Sequence, residues 1–510
     1  MTPFSADDLE RLRAHGISED EAARQLALLR HPPAPARVVR PCSVGDGIRR
    51  IDASEIPERV GQAESVAGEG RVSKLVPASG AASRMFQAHA ADLEAATATE
   101  GAEPSAETGR LVAELDRLPF SGALGRALAS EGHDLSDLRR SGRCREILGA
   151  LLSSQGLGYA DLPKGLIPFH RAEPDGRTPF EEHLREAAAL IRDASGLCRL
   201  HFTVAPEHEP RFRALLEELA PRLAAETGAR LAVDFSIQHP RTDTLALDPA
   251  TGGPFRTEDG ALLFRPGGHG SLIENLADLA AGGADLVTIK NIDNVLPGGG
   301  PAEVLLWKRV LLGLAADLAE RAGNLRRMLE RTVPAEDLLR AAERFLEKEF
   351  GRPPRAAASA EERRLALVAA LSRPLRVCGV VENRGEPGGG PFWVEGDDGL
   401  PTPQLVEASQ LDPERRGDLL AAATHFNPVD LVCALKIGGR RMSDLLRYVD
   451  PNAVFVAEKS QGGRPLLALE RPGLWNGAMA GWNTVFVEVP SSTFAPVKTV
   501  LDLLRPEHQG

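Results

Sequence analysis

The sequence predicts an α/β protein with a mostly parallel central sheet. Helical and strand patterns alternate in its middle third, with a helix over 177–195, a strand over 198–205, a helix over 210–227 and a strand over 231–238. Strands alternating with helices of this length are typical of a parallel sheet covered on both faces. A further strand pattern, ADLVTIK, ends at a run of polar residues, where open α/β sheets place ligands.

Length and charge limit the classes of protein to consider. At 510 residues the chain is too long for one simple core, so two or three packed units are expected. The formal net charge of -12 argues against a general nucleic-acid binder, because no basic surplus exists to replace counterions on a phosphate backbone. No run of 18 apolar residues occurs, and the charged N-terminus lacks the apolar segment of a signal peptide. We therefore expect a cytoplasmic protein without a membrane partner.

Three segments are predicted along the chain. Residues 1–70 form a helical lead-in, since Ser5 is a suitable N-cap and apolar residues then recur at helical spacing. Residues 71–372 form the α/β core, with a helical insertion at 87–160. Residues 373–510 are richer in short strands and turns, and they form a smaller mixed part that completes the site.

A loop of small residues follows the first strand of the core. It leads directly into Arg84 and contains Ser79, Gly80, Ala81, Ala82 and Ser83. Small side chains allow a backbone to approach another molecule closely, and successive N–H groups of a turn can bind an anion. An arginine at the end of such a loop supplies the charge that a phosphate needs. A tight packing turn explains the same residues, and this alternative stays open.

Other segments carry residues suited to phosphate or metal chemistry. Lys164 stands in LPKGLIPFH between apolar residues, and Lys498 precedes an apolar segment that we predict to be helical. Asp293 follows the strand ADLVTIK and could hold Mg²⁺, because hard oxygen ligands suit that ion. A turn or a helix cap is the alternative for Asp293. From their own segments, four histidines stay candidates without an assigned role, namely His170, His201, His269 and His425.

Taken in order, these segments resemble the motifs of the UDP-sugar pyrophosphorylases, nucleotidyltransferases of the GT-A fold. SGAASRMF is similar to the family's glycine-rich loop, with Arg84 at the arginine position, and LPKGLIPF places Lys164 at its lysine. IKNIDNVL aligns Asp293 with a metal-binding aspartate, and FAPVKTVLDLL gives Lys498 a phosphate-contacting role. The whole chain also resembles a group of uncharacterised bacterial proteins described only as a domain of unknown function.

The resemblance extends to the nucleotide and sugar ends of the ligand. RPGGHGSL is similar to a family turn, which implies that Gly268, His269 and Gly270 bind the nucleotide. THFNPVDL places Asn427 at a sugar-binding position, and Glu386 in GEPGGGPFW would hydrogen-bond sugar hydroxyls. A glycine-rich hairpin turn is the alternative for the segment around Glu386.

The activity implied by the resemblance is Mg²⁺-dependent nucleotidyl transfer. A sugar 1-phosphate would attack the α-phosphate of a nucleoside triphosphate, with UTP the expected one, and pyrophosphate would leave. Arg84, Lys164 and Lys498 would stabilise the phosphates, so catalysis would consist of positioning and charge stabilisation. Ser79 and Ala82 replace family glycines, which restricts φ > 0 and leaves a second hypothesis open, a non-catalytic nucleotide-sugar binding protein on the same fold.

Overall fold

The computed structural model describes residues 4–99, 103–173, 175–331, 335–354, 359–385, 388–396, 398–427, 429–442 and 444–509. This part of the chain is a mixed α/β protein, which confirms the predicted fold class. The chain divides into two compact units. The first unit comprises Met1–Val66, Ile237–Ile289 and Arg309–Ser491, and the second comprises Ala67–Ser236, Lys290–Lys308 and Ser492–Gly510. The division into 1–70, 71–372 and 373–510 stays a prediction.

Helices and strands are numbered in chain order. The helices are α1 (Ala6–His15), α2 (Glu19–Arg30), α3 (Ile56–Gly68), α4 (Gln87–Ala98), α5 (Ala106–Ala113), α6 (Ser121–Ser130), α7 (Leu135–Arg140), α8 (Cys144–Leu152), α9 (Pro179–Leu190), α10 (Glu209–Thr227), α11 (Leu272–Ala281), α12 (Ala302–Arg331), α13 (Glu336–Phe350), α14 (Ala360–Leu371) and α15 (Arg416–Ala422). The strands are β1 (Val38–Pro41), β2 (Ser43–Val44), β3 (Gly47–Arg49), β4 (Val72–Pro77), β5 (Leu197–Thr203), β6 (Arg230–Ser236), β7 (Thr244–Leu247), β8 (Phe264–Arg265), β9 (Leu286–Ile289), β10 (Leu375–Val380), β11 (Gly390–Glu395), β12 (Pro401–Val406), β13 (Asp430–Ala434), β14 (Lys436–Ile437), β15 (Arg440–Arg441), β16 (Phe455–Gln461), β17 (Arg464–Glu470) and β18 (Asn483–Glu488).

The largest set of strands in the first unit has the order β2-β3-β18-β10-β13-β9. Neighbours from β2 to β10 run parallel, whereas β13 is antiparallel to both β10 and β9. Every residue of β9, β10 and β13 is buried, as expected for strands covered on both faces. Smaller antiparallel groups, β1-β11-β12, β16-β17-β7-β8 and β14-β15, account for the strand-rich composition predicted for the last third of the sequence.

The predicted N-terminal helices are confirmed and lie within the first unit. Ser5 caps α1 through a reciprocal capping box with Asp8, whose carboxylate also binds Arg256. Apolar residues of α1 and α2, including Leu12 and Leu26, pack in one cluster with residues of β7 and β17. The prolines after α2 end the helical pattern, as predicted.

The strands of the second unit, β4, β5 and β6, are mutually parallel. Thr178 caps α9 and Pro179 occupies its first turn, where a missing N–H costs nothing. The apolar side of this unit includes an aromatic cluster from α9, α10, β5 and β6, with ring centroids 4.7–6.2 Å apart: Phe180, Phe202, Phe212 and Phe235.

The segment predicted as a helical insertion, 87–160, contains α4 to α8 with short turns between them, and its being an insertion stays a prediction. Its buried residues, such as Leu124 and Ile147, share one apolar cluster with Met85 and with Val500 and Leu503 from the far end of the sequence. The insertion therefore packs on the segment that carries Lys498. Within the described residues, no helix is both long and apolar enough to cross a membrane.

Candidate functional site

The small-residue loop leaves β4 at Pro77 and is fixed by backbone hydrogen bonds. The Ala82 N–H donates to the Leu162 carbonyl at 3.0 Å, and the Gly80 carbonyl accepts from the Lys164 N–H at 3.3 Å. Ser79, Gly80, Ala81 and Ser83 are exposed, whereas Ala82 is buried. The Ala82 N–H is thus used in a hydrogen bond within the fold, whereas the outer residues of the loop face solvent next to the segment of Lys164.

Replacement of glycine by serine and alanine does not strain this loop. Among the described residues, only glycines have a positive φ, so Ser79 and Ala82 both have negative φ. Gly80 also has a negative φ, and a Cβ atom built on it would meet nothing within 4 Å. The restriction expected from losing the glycines therefore has no consequence for this backbone.

Lys164 and Lys498 both contact the carboxylate of Asp293. Lys164 Nζ lies 2.9 Å and Lys498 Nζ 3.2 Å from Asp293 Oδ2, and Lys164 Nζ also donates to the Val497 carbonyl at 2.7 Å. The side chains of Lys164 and Asp293 are 12% and 11% exposed, whereas that of Lys498 is 63% exposed. One ammonium group is therefore fixed by two acceptors, and the other contacts Asp293 from a largely exposed side chain.

The segments that carry Asp293 and Lys498 are held together by their backbones. The Val497 N–H donates to the Asp293 carbonyl at 3.0 Å, and the Ala495 N–H donates to Asn294 Oδ1 at 3.0 Å. The Asn294 side chain therefore has a structural role in this site. The contact between Asp293 and Lys498 rests on a short antiparallel pairing of the two segments.

The segment after Lys498 is a 3₁₀ helix, Val500–Leu504, where we predicted an ordinary apolar helix. Asp502 Oδ2 accepts hydrogen bonds from the N–H groups of Lys498 and Thr499, both at 2.7 Å, which forms a capping box with Thr499. The cap closes within four residues, and Pro506 follows soon after. The segment is therefore limited to a short, tight helix. The cap fixes the backbone of Lys498.

The electrostatics of the site keep Asp293 ionised. Burial raises the pKa of this carboxyl, but the ammonium groups of Lys164 and Lys498 outweigh burial and hold the pKa below its usual value. Burial lowers the pKa of Lys164, Asp293 opposes that shift, and Arg84 lies close enough to add to the lowering. Arg84, Lys164, Asp293 and Lys498 therefore belong to one electrostatic cluster within the second unit.

Asp293 fits a metal that arrives with a ligand better than one held by protein alone. The described residues contain no group of three or more His, Cys, Asp or Glu side chains able to hold a metal ion. Mg²⁺ commonly uses one or two carboxylates and takes its other ligands from phosphates and water. Asp293 suits that pattern as the single protein carboxylate, and its function as a metal ligand stays a prediction.

The remaining predicted site residues belong to the first unit or lie outside the described residues. Gly268, His269 and Gly270 form the turn before α11 in the first unit, and the His269 ring centroid is 6.3 Å from that of Trp475. Asn427, also in the first unit, hydrogen-bonds the side chain of Glu407. Glu386 lies outside the described residues. The nucleotide and sugar roles of these residues stay predictions.

Residues 5–509 match the family described as "Domain of unknown function (DUF4301)". The chain belongs to this family. The match spans nearly the whole sequence, in agreement with the resemblance to such a family noted above. No curated protein matches the sequence.

Several solved structures resemble that of the DUF4301 protein. One is a UDP-N-acetylglucosamine pyrophosphorylase from Trypanosoma brucei in complex with an inhibitor, with 13% identity over 98% of this chain and 79% of that chain and a TM-score of 0.48. A UDP-glucose pyrophosphorylase variant from Leishmania major in complex with UDP-glucose has 15% identity over 98% and 79% of the two chains, with a TM-score of 0.46. A UDP-glucose phosphorylase from Trypanosoma brucei has 14% identity over 98% and 77%, with a TM-score of 0.46.

The sequence analysis missed a buried polar face on α9 of the DUF4301 protein. Glu186 on this helix accepts contacts from three buried lysines, with Nζ distances of 2.6 Å to Lys74, 3.3 Å to Lys290 and 3.5 Å to Lys308. Lys74 lies on β4, which leads into the small-residue loop, and Lys290 precedes the segment of Asp293. Glu186 therefore holds two of the segments that form the candidate site.

A second residue of this face also supports the Asp293 segment. His183 is fully buried, and its Nε2 lies 3.2 Å from the Asn291 carbonyl. Burial holds the pKa of His183 well below its usual value, so the ring is neutral and its Nε2–H donates to that carbonyl. Glu182, His183 and Glu186 recur at helical spacing, but Glu181 and Arg185 of the same helix are polar as well, so the sequence does not distinguish this buried face from a solvated one.

Proposed function

We propose that this protein is a nucleotidyltransferase that transfers a nucleoside monophosphate to a sugar 1-phosphate and releases pyrophosphate. The observation that carries the proposal is the contact of Lys164 and Lys498 with the single carboxylate of Asp293, with the charge of Arg84 close enough to act on Lys164. Cations from three distant segments meet beside an exposed loop of small residues, which is the arrangement that a polyphosphate requires.

The chain's own residues supply charge and position. The ionised phosphate oxygen of the sugar 1-phosphate forms a bond to the α-phosphorus, and the bond to the β-phosphate breaks with its electron pair on pyrophosphate. Lys164, fixed by Asp293 and the Val497 carbonyl, stabilises charge at the α-phosphate or on the leaving group. Lys498 reaches the sugar phosphate because its side chain is long and exposed. The nucleophile is already ionised, so the reaction needs no general base.

Magnesium, when bound, would supply positive charge to the phosphate oxygens. Asp293 is the residue that would hold it. Its carboxylate neutralises two ammonium groups in this structure, so we infer that the phosphates of the substrates replace it as the partner of the lysines. Asp293 would then be released toward a cation that comes with the nucleotide.

A pyrophosphate-release assay tests the proposed function. The purified protein is incubated with each nucleoside triphosphate, UTP included, and a panel of sugar 1-phosphates, with and without Mg²⁺. We expect release from one pairing and dependence on Mg²⁺. Tight binding of a nucleotide sugar without turnover in any pairing would instead support the second hypothesis, a non-catalytic nucleotide-sugar binding protein.

Substitution Asp293→Asn is expected to strengthen the binding of pyrophosphate in the absence of Mg²⁺ while it lowers turnover. The amide removes the negative charge that competes with phosphate for Lys164 and Lys498, so the dissociation constant of pyrophosphate falls by about tenfold. Turnover falls because the group expected to hold Mg²⁺ is lost. Isothermal titration with pyrophosphate measures the first effect.

Asp285→Asn is the matched control for this substitution. Asp285 Oδ2 accepts from Lys436 Nζ at 3.0 Å in the first unit, so the control also neutralises a lysine-bound carboxylate. We expect no change in pyrophosphate binding. Equal affinities in the Asp293→Asn variant and the unsubstituted protein would show that the two lysines do not bind phosphate.

A further inference from the structure

A chain of buried polar groups runs from α9 to the turn Pro506–His508. His170 Nδ1 lies 2.9 Å from Glu182 Oε1, and His170 Nε2 lies 3.0 Å from His508 Nδ1. The three residues are at most 1% exposed. A second contact leaves the same carboxylate, since Glu182 Oε2 accepts from the Gly299 N–H at 2.8 Å.

These hydrogen-bonded groups reach both of the segments that meet at the contact between Asp293 and Lys498. Gly299 lies six residues after Asp293, and His508 lies ten residues after Lys498. Both segments are therefore attached to Glu182 of α9, one directly and the other through the two imidazoles.

The first hydrogen bond of the chain has a fixed direction, because a carboxylate only accepts and Nδ1 of His170 therefore donates to Glu182. Between His170 Nε2 and His508 Nδ1, one ring donates and the other accepts, according to their tautomers. Burial lowers the pKa of His508 to about 4, with a further contribution from His170, so His508 stays neutral at ordinary pH.

We propose that His508 is a positioning residue of the candidate site and that its hydrogen bond to His170 keeps Lys498 on Asp293. The attachment itself is a property of the fold. Its effect on turnover rests on the proposed function, in which Lys498 contacts the substrate.

Two substitutions separate the hydrogen bond from packing. Asparagine at position 508 places its amide near the position of the histidine Nδ1, whereas glutamine places its amide near that of Nε2. His508→Asn therefore retains an amide that can hydrogen-bond His170 Nε2, and His508→Gln loses that contact. Both variants keep a polar side chain of similar size, so the pair is matched.

Hydrogen exchange at two backbone amides reports the attachment without reference to activity. The Val497 N–H donates to the Asp293 carbonyl, and the Val500 N–H donates to the Met85 carbonyl at 3.2 Å. We expect both amides to exchange about tenfold faster in His508→Gln than in the unsubstituted protein, because local opening becomes easier. His508→Asn should stay within about threefold. His201→Ala, which removes a 2.7 Å contact with Ser236, should leave both amides unchanged.

The outcomes separate this proposal from the proposed function. Unchanged exchange in His508→Gln, or equal acceleration in both His508 variants, would overturn the role of the hydrogen bond. Faster exchange only in His508→Gln supports it, even if the pyrophosphate-release assay shows no turnover. Where turnover is measured, His508→Gln as a single substitution should lower kcat. The same substitution should have no added effect in a Lys498→Ala background.

The same attachment predicts a pH dependence of stability. The pKa of His508 is lower in the folded protein than the value of 6.5 expected in the unfolded chain, so its stabilising contribution is complete above pH 6.5 and is lost as the pH falls toward about 4. The groups whose charge acts on it are His170 and Arg505, which lower its pKa further, and Asp502, which raises it. We expect Tm to fall more steeply over this range in the unsubstituted protein than in His508→Asn. Parallel curves would contradict the titration of His508.

Discussion

Replacing Lys164 by methionine is expected to lower turnover by about 100- to 1,000-fold, the loss typical of removing one group that stabilises transition-state charge. Lys164 Nζ is fixed by Asp293 Oδ2 at 2.9 Å and by the Val497 carbonyl at 2.7 Å, so no mobile side chain replaces it readily. Methionine retains the length and the apolar packing of the stem. Pyrophosphate release with the substrates identified in the initial assay measures the effect.

The matched control is Lys436→Met. Lys436 Nζ lies 3.0 Å from Asp285 Oδ2, so this variant loses a lysine–carboxylate pair of the same geometry in the first unit. Its turnover should equal that of the unsubstituted protein. Lys498→Ala should also lower turnover by orders of magnitude, since Lys498 contacts the same carboxylate. Undiminished turnover in both the Lys164 and the Lys498 variants would remove these residues from the mechanism.

Glu186→Gln is expected to destabilise the protein by about 3–5 kcal/mol, the cost of breaking a buried ion pair by removing one partner. Three buried ammonium groups lie within 3.5 Å of this carboxylate, and the substitution removes a negative charge from all of them at once. Burial already lowers the pKa of Lys74 to about 8, so its ammonium depends strongly on the charge of Glu186. Urea-induced unfolding at neutral pH measures the change in the free energy of unfolding.

Glu181→Gln on the same helix is the control for this prediction. Glu181 is equally buried, but its partners are arginines whose side chains keep some exposure to water, namely Arg177, Arg185 and Arg222 at 30%, 13% and 43%. We expect a loss of about 1 kcal/mol there. If Glu186→Gln does not fold alone, adding Lys74→Met should recover part of the stability, because one ammonium group is removed with its partner. Similar losses for the two glutamate variants would contradict the interpretation.

The sequence predicted the residues that meet at Asp293 better than the residues that support them. Lys164 and Lys498 stand in motifs that resemble a known family, and the structure brings both to Asp293. Periodicity alone could not have joined them, because 333 positions separate Lys164 from the Val497 carbonyl that it contacts. The α/β class followed from local patterns, which the structure retains in β4, β5 and β6.

The residues that support the site were missed because a helix face with buried charges has the same amino-acid composition as a solvated face. Glu186 and His183 of α9 look like surface residues in the sequence, and only the lysines brought by other segments reveal that they are buried. For the small-residue loop, the sequence analysis predicted a constraint that the structure does not have. Ser79 and Ala82 were expected to restrict its backbone, yet the structure uses no positive φ there, so glycine is not needed at these positions.

The discontinuous composition of the second unit has a consequence for biosynthesis. Its last stretch, Ser492–Gly510, is translated well after Lys290–Lys308. At typical elongation rates the ribosome needs about 10–40 s to make the residues between them. Throughout that interval a nascent chain contains Lys164 and Asp293 without Lys498 or His508, and the apolar residues of the helical insertion lack part of their final partner. The second unit therefore cannot complete its fold until synthesis has passed residue 492.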